Sequence, residues 1–363
     1  MPASHRNRVG AILGLVGACA LGAAPHAEAQ SSVTLFGIVD GSLLYTSKTL
    51  NAATGQNAGH QYSFTDSGLS GSRFGMRGVE DLGGGMRAIF MLESGFSVAN
   101  GSFDNSNGNL FGRQAWVGID GRYGNVKAGL QFSPFFLAIY DADPREMGYF
   151  GSGLITYLNN VYVTGLFNPN GISYTSPEIG GLQASGMFAF GGAAGNFQAG
   201  RQYSASLRYH FGGLTLDGGL YSGNAGGSAA SIAIPSVVAF WGRTLGARYS
   251  FDNLTLKASY TQYKVAGSFN NRVYSGGASY GITPALNIDA GIWVTRDAND
   301  GSNNSILASS GLTYSLSKAT VTYAQVGFVT NHGGMHTGLS VNNALNLPTG
   351  TTAGVNVGIR HTF

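Results

Sequence analysis

The sequence predicts an all-β chain, a transmembrane antiparallel β-barrel of sixteen strands, on three observations. Polarity alternates with period two, short and long connections alternate between the alternating segments, and charge is scarce without long apolar runs. Only 10% of residues are charged, against about a quarter in soluble globular chains. Beyond residue 30 no stretch of about 18 apolar residues offers a membrane helix, and mean hydropathy is only +0.05. Scarce charge without apolar runs is what strands wetted on one face and greasy on the other produce.

From the N-terminus, Arg6 and Arg8 precede an apolar stretch, residues 9–24, and Ala27-Glu28-Ala29 gives a small-x-small cleavage site. Residues 1–29 are therefore expected to be an export signal, with a single barrel domain over 30–363 beginning at Gln30. The only cysteine, Cys19, falls inside the signal, so the mature chain is expected to have no disulfide and no thiolate metal site. Cleavage leaves 18 basic and 16 acidic residues, a net charge of +2, which gives no argument for nucleic acid.

Along the chain, Tyr203, Ala205, Leu207, Tyr209 and Phe211 alternate with Gln202, Ser204, Ser206, Arg208 and His210. Leu254, Leu256, Ala258 and Tyr260 likewise oppose Thr255, Lys257, Ser259 and Thr261. Leu286, Ile288, Ala290, Ile292 and Val294 oppose Asn287, Asp289, Gly291 and Thr295. Short turns are expected at residues 80–85, 120–124, 177–181, 212–213, 252–253, 281–284 and 317–318. Long polar connections are expected near 46–61, 98–109, 133–166, 192–201, 224–238, 265–271, 297–304 and 331–352. Seven short and eight long connections join sixteen strands, and an even number puts both termini on the short-turn side.

Aromatic residues gather beside the short turns, where rings favour a membrane–water interface: Tyr209 and Phe211, Tyr249 and Phe251, Tyr280, Tyr314. A soluble β-sandwich also alternates, but an export signal and sixteen strands weigh against it. The chain ends on Val355, Val357, Ile359, His361 and Phe363, one face of a last strand closing on an aromatic residue.

Three blocks carry a family resemblance. They are residues 32–40 (SVTLFGIVD), residues 72–85 (SRFGMRGVEDLGGG) and residues 112–118 (GRQAWVG). With the terminal strand they resemble the trimeric general porins of Gram-negative outer membranes. The resemblance implies sixteen strands, a homotrimer, a long third loop folded into the pore, and Phe363 as a signal to the barrel assembly machinery. His361 stands where the terminal pattern usually carries a further aromatic residue.

Residues 133–166 match the third loop by position, and Pro134-Phe135-Phe136-Leu137 with Ile139-Tyr140 would be exposed apolar surface unless the loop packed inward. Asp141, Asp143 and Glu146 are the expected acidic side of a constriction, with Arg145 standing among them. The expected basic wall is Arg73 and Arg77, on the face opposite Phe74 and Met76, Arg113, opposite Trp116, and Lys127, on the face of Asn125 and Gln131. Charge facing lipid costs about 2 to 4 kcal/mol at the midplane, which favours the lumen. Relatives often carry an arginine before the glutamine at Gln131, where this chain has Leu130.

The expected function is an outer-membrane pore, water-filled, for passive diffusion of small hydrophilic solutes and ions, with outer-membrane lipid around it. Four basic against three acidic candidates give a slight anion preference. A solute-specific channel would want an aromatic track, and Tyr221, Tyr263 and Trp293 are too scattered to form one. An enzyme would need a gathered nucleophile and base, and no zinc motif, phosphate loop or nucleophile elbow is present. His332 and His336 lie in a Gly-rich loop that fixes no metal geometry. No cofactor is expected. An adhesin built on the external loops would leave inward arginines unexplained.

Overall fold

The computed structural model describes residues 32–161, 166–227 and 238–363; the expected export signal lies outside the described residues. The first strands are β1 (Ser32–Thr46), β2 (Gln61–Asp66), β3 (Arg73–Gly83), β4 (Met86–Gly95), β5 (Gln114–Gly121) and β6 (Gly124–Gln131). Two helices follow, α1 (Pro134–Ala142) and α2 (Gly153–Val161). Then come β7 (Asn168–Thr175), β8 (Leu182–Ala189), β9 (Gln202–Phe211), β10 (Leu214–Gly223), β11 (Phe240–Phe251) and β12 (Leu254–Val265). The chain continues through β13 (Asn270–Gly281), β14 (Leu286–Asp297), β15 (Asn304–Ser315) and β16 (Thr320–His332). A small hairpin, β17 (Thr337–Ser340) and β18 (Ala344–Asn346), precedes the last strand, β19 (Gly350–Thr362).

Each barrel strand pairs antiparallel with its neighbours, and the sheet closes where β19 meets β1 from Ile38↔Thr362 to Thr46↔Gly354. Gly37 and Phe363 exchange backbone hydrogen bonds at 3.0 and 3.1 Å, carrying the seam to the last residue. The lower half of β1 pairs with β3 and the upper half with β2. These two segments are therefore one stave, and the 17 segments of the sheet make the sixteen-stranded barrel.

The break in that stave has a local cause. Asp40 faces the interior from β1 and is fully buried, so its carboxylate needs donors. It takes the backbone N–H groups of Leu69 and Ser70 at 2.9 and 2.8 Å, that of Gly68 at 3.3 Å, and the Tyr323 hydroxyl. Residues 67–72 wrap around it instead of continuing the ladder, which alternation alone does not reveal.

All seven short turns and all eight long connections fall where expected. At one turn Gly83, Gly84 and Gly85 all have positive φ (81°, 62° and 79°), a run that residues with a Cβ resist. Strands β11 to β14 have 12 residues each, which at about 3.4 Å per residue and a tilt of about 40° spans about 30 Å. That covers a hydrocarbon band. Leu207, Leu245, Val326 and Val357 face outward and are exposed, while Ser204, Thr244, Gln325 and Asn356 face inward and are buried. No helix among the described residues is long and apolar enough to cross a membrane; strands do the crossing.

Candidate functional site

The connection between β6 and β7 does not project from the barrel. Ser133 caps α1, accepting the Phe136 N–H at 3.1 Å, and Pro134 starts the helix where a missing N–H costs nothing. The helix lies against the interior of β9 to β12. Phe135, fully buried, sits among Tyr221, Phe240 and Tyr263 with ring centroids 6.1, 6.4 and 6.4 Å away. Such pairs add about 0.5 to 1.5 kcal/mol each beyond area burial. The wall is glycine where the helix touches it: a Cβ on Gly242 would enter the Phe135 ring, and one on Gly246 would strike Ala142. Tyr221, Tyr263 and Trp293 are thus anchors beneath the loop, not a track along the lumen.

The second half of the loop is fixed by buried polar groups. Asp143 accepts the N–H groups of Arg145, Met147 and Gly153 at 3.1, 2.7 and 2.9 Å and the Trp293 indole at 3.0 Å. Burial pushes its carboxyl above the usual range, against the pull of those donors. Arg145 reaches across to the wall, pairing with Asp289 and donating to Ser309 Oγ at 3.0 Å, Gln325 Oε1 at 2.6 Å and the Phe150 carbonyl at 3.0 Å. Its charge and donors are consumed by holding the loop.

Between the loop and the wall formed by β3 to β5 lies a cavity of about 520 Å³. Arg73, Glu93 and Arg113 line it from the wall, and Leu137, Tyr140, Glu146 and Tyr149 from the loop. Glu93 accepts Arg113 Nε at 2.7 Å and lies 3.5 Å from Arg73 Nε, so two guanidinium groups share one carboxylate. The Tyr149 hydroxyl stands near Arg113 and Arg73, and burial lowers its acidity. Arg360, inward on β19 beside Asp40, adds a third positive charge within reach of Tyr140. Glu146 projects into the space from a left-handed backbone (φ 53°), and Lys257 Nζ stands 3.8 Å from it.

A sequence family described as Gram-negative porin matches residues 16–334. The chain belongs to the Gram-negative porins. It is similar to outer membrane porin protein 32 of Delftia acidovorans, 31% identical over 96% of this chain and 99% of that one. An outer membrane porin protein of Bordetella pertussis is 28% identical over the same shares. A solved structure described as an anion-selective porin from Comamonas acidovorans superposes with a TM-score of 0.76 at 28% identity, over 92% of this chain and all of that one. The protein is an outer-membrane channel for passive diffusion, and its relatives are pores, not enzymes.

In this porin the expected site residues separate into groups. Arg73, Arg113 and Glu146 meet at the cavity. Arg77 faces inward one step below Arg73, its guanidinium 5.8 Å from the Phe36 ring, and Lys127 lies 4.4 Å from the Trp116 ring. Two expectations need correction. Asp143 is not on the channel side: it is 2% exposed, because its loop's own backbone N–H groups surround it. Trp116 is not on the lipid face: it pairs across with Met91 and Gly129 on the inward rows and shares the lumen with Lys127. Arg113 precedes β5, so alternation within the strand does not govern it. Asp141 reaches the wall as an ion pair with Arg208, which also holds Asp217 at 3.0 Å. Leu130 packs half-buried against the apolar anchors, beside a register shift between Gly129 and Gln131.

Glu93, Arg208, Lys257 and Arg360 were absent from the expected site. Glu93 carries a legible signal, since it shares the face of Arg87, Ile89 and Met91 and pairs across from Gly75, between Arg73 and Arg77.

Proposed function

We propose that this porin is a water-filled pore for small hydrophilic solutes with a slight preference for anions. The observation that carries the reading is the sharing of Glu93 by Arg73 and Arg113. Of the loop carboxylates, Asp141 is neutralised by Arg208 and Asp143 is buried, which leaves Glu146 against a surplus of guanidinium charge. In a confined space such charge is weakly screened and sets which ions enter. An anion exchanges part of its hydration for guanidinium donors, while Glu146 opposite them gives a transverse field that orients dipolar solutes. Similarity to a protein described as anion-selective supports the same reading.

Replacing Arg73 and Arg113 together by Ser should move the reversal potential of purified protein in a salt gradient toward cation preference, and Glu146→Gln should move it further toward anions. Unchanged selectivity in both variants would sink the proposed constriction.

Export by removal of residues 1–29, homotrimer formation and recognition by the assembly machinery through Phe363 belong to the same reading. Phe363 supports the last of these: it is 54% exposed on the outer face, continuing the row of Val355, Val357 and Ile359.

A further inference from the structure

The outward face of the barrel carries its own charge pattern, at the loop end of β11 to β14. Register places Arg243, Gln262, Arg272 and Arg296 side by side across four adjacent strands, continued by Asn304 and His332. Lys264, beside Trp241 in the next outward position, lies 5.6 Å above that ring. Arg243, Lys264, Arg272 and Arg296 are all exposed. Their outward direction follows from the neighbours that share their face, Leu220, Trp241, Leu245, Tyr260, Tyr274 and Val294, while Tyr263, Asn271, Thr295 and Asp297 face inward and are buried.

The row sits at a definable depth. One outward position below it, about 7 Å along the strands, the rings of Tyr260 and Tyr274 pack tilted against each other with centroids 5.2 Å apart. Arg243 stands eight residues along β11 from Phe251 at the short-turn interface, about 21 Å in depth at a tilt of about 40°, which puts the row close to the external edge of an apolar band about 25 Å tall.

The row is not neutralised from within. Arg272 and Arg296 are directly opposed across β13 and β14, where like charges destabilise a sheet. Arg243, Arg272 and Arg296 have neither an ion pair nor a side-chain hydrogen bond among the described residues, and no acidic side chain occupies their row. Asp297, the neighbour of Arg296 in the chain, points to the opposite face and accepts the Asn270 N–H at 3.0 Å. The adjoining connections, residues 224–238 and 265–271, contain no Asp or Glu, and Asp300 in the connection after β14 accepts the Ser302 N–H and hydroxyl at 3.0 and 2.7 Å.

We propose that Arg243, Lys264, Arg272 and Arg296 form a binding site on the outer wall for the phosphorylated headgroup of a lipid in the external leaflet. Arginines opposed across the ladder, their Cα atoms about 5 Å apart, offer donors of two guanidinium groups to one phosphate, and the aromatic pair beneath meets the start of the acyl chains. Lipid is the source, because the site opens sideways into the membrane and not into the channel. The inference concerns the outer wall and stands apart from the proposed ion selectivity of the lumen.

The test uses the folded, delipidated porin in detergent. It is titrated with bis-phosphorylated lipid A and with fully dephosphorylated lipid A, reading lipid retained by mass and the heating temperature at which the folded form is lost. Wild type should bind the phosphorylated form at least about tenfold more tightly, and R272Q/R296Q should lose most of that preference while keeping the wild-type reversal potential. R272K/R296K should keep it, which separates lost charge from misfolding. The proposal is overturned if wild type retains both lipids equally, if R272Q/R296Q keeps the preference, or if millimolar inorganic phosphate stabilises the protein as well as the lipid does.

Discussion

Glu93 shows how one side chain governs a charge field. It is 5% exposed and holds two guanidinium groups, so removing its charge both raises the positive potential of the lumen and strands Arg113 in a buried site. Glu93→Gln should therefore strengthen anion preference while costing about 3 to 5 kcal/mol of stability, seen as loss of the folded form at lower temperature. Selectivity that weakens instead would mean that the arginines act only when held by the carboxylate. Asp141 and Asp143 were equivalent in sequence, two acids at the end of an apolar run. Their fates differ because Asp141 meets Arg208 on the wall while Asp143 meets its own backbone. No local pattern distinguishes these partners, since both are set by how the loop folds back.

At the scale of elements, the third loop is held by aromatic rings at α1 and by Arg145 beyond it. Gly242→Val would force the Phe135 ring out of its seat, an overpacking of about 1 to 3 kcal/mol, and should give larger, noisier single-channel currents. Arg145→Ala should do the same by another route, leaving Asp289 unpaired and Gln325 without its donor, at about 3 to 5 kcal/mol. Currents identical to wild type in both variants would show that the loop does not narrow the path. The strands and turns were legible because alternation and Gly-rich turns are local properties, as at Gly83 to Gly85. The inward packing of the loop was legible too, since Phe135, Phe136 and Ile139 had no other place to be buried. Helices α1 and α2 and the break between β2 and β3 were not, because both answer to distant partners: the glycine floor of β11 and the needs of Asp40.

For the whole molecule, closure sets two environments that the sequence lists as alternate residues. The outer wall takes Leu, Val and aromatic side chains with a basic row at one rim; the inner wall takes polar groups, and the loop laid across it adds its own small core. The positive charge facing the third loop comes from Arg73 on β3, Lys257 on β12, Arg360 on β19 and Arg113 before β5, so it exists only once the barrel has closed. Its most direct test is the zero-current potential of the wild-type pore between unequal potassium chloride solutions. A sign reporting that chloride crosses more readily than potassium is predicted, while a potassium-selective sign would contradict the account.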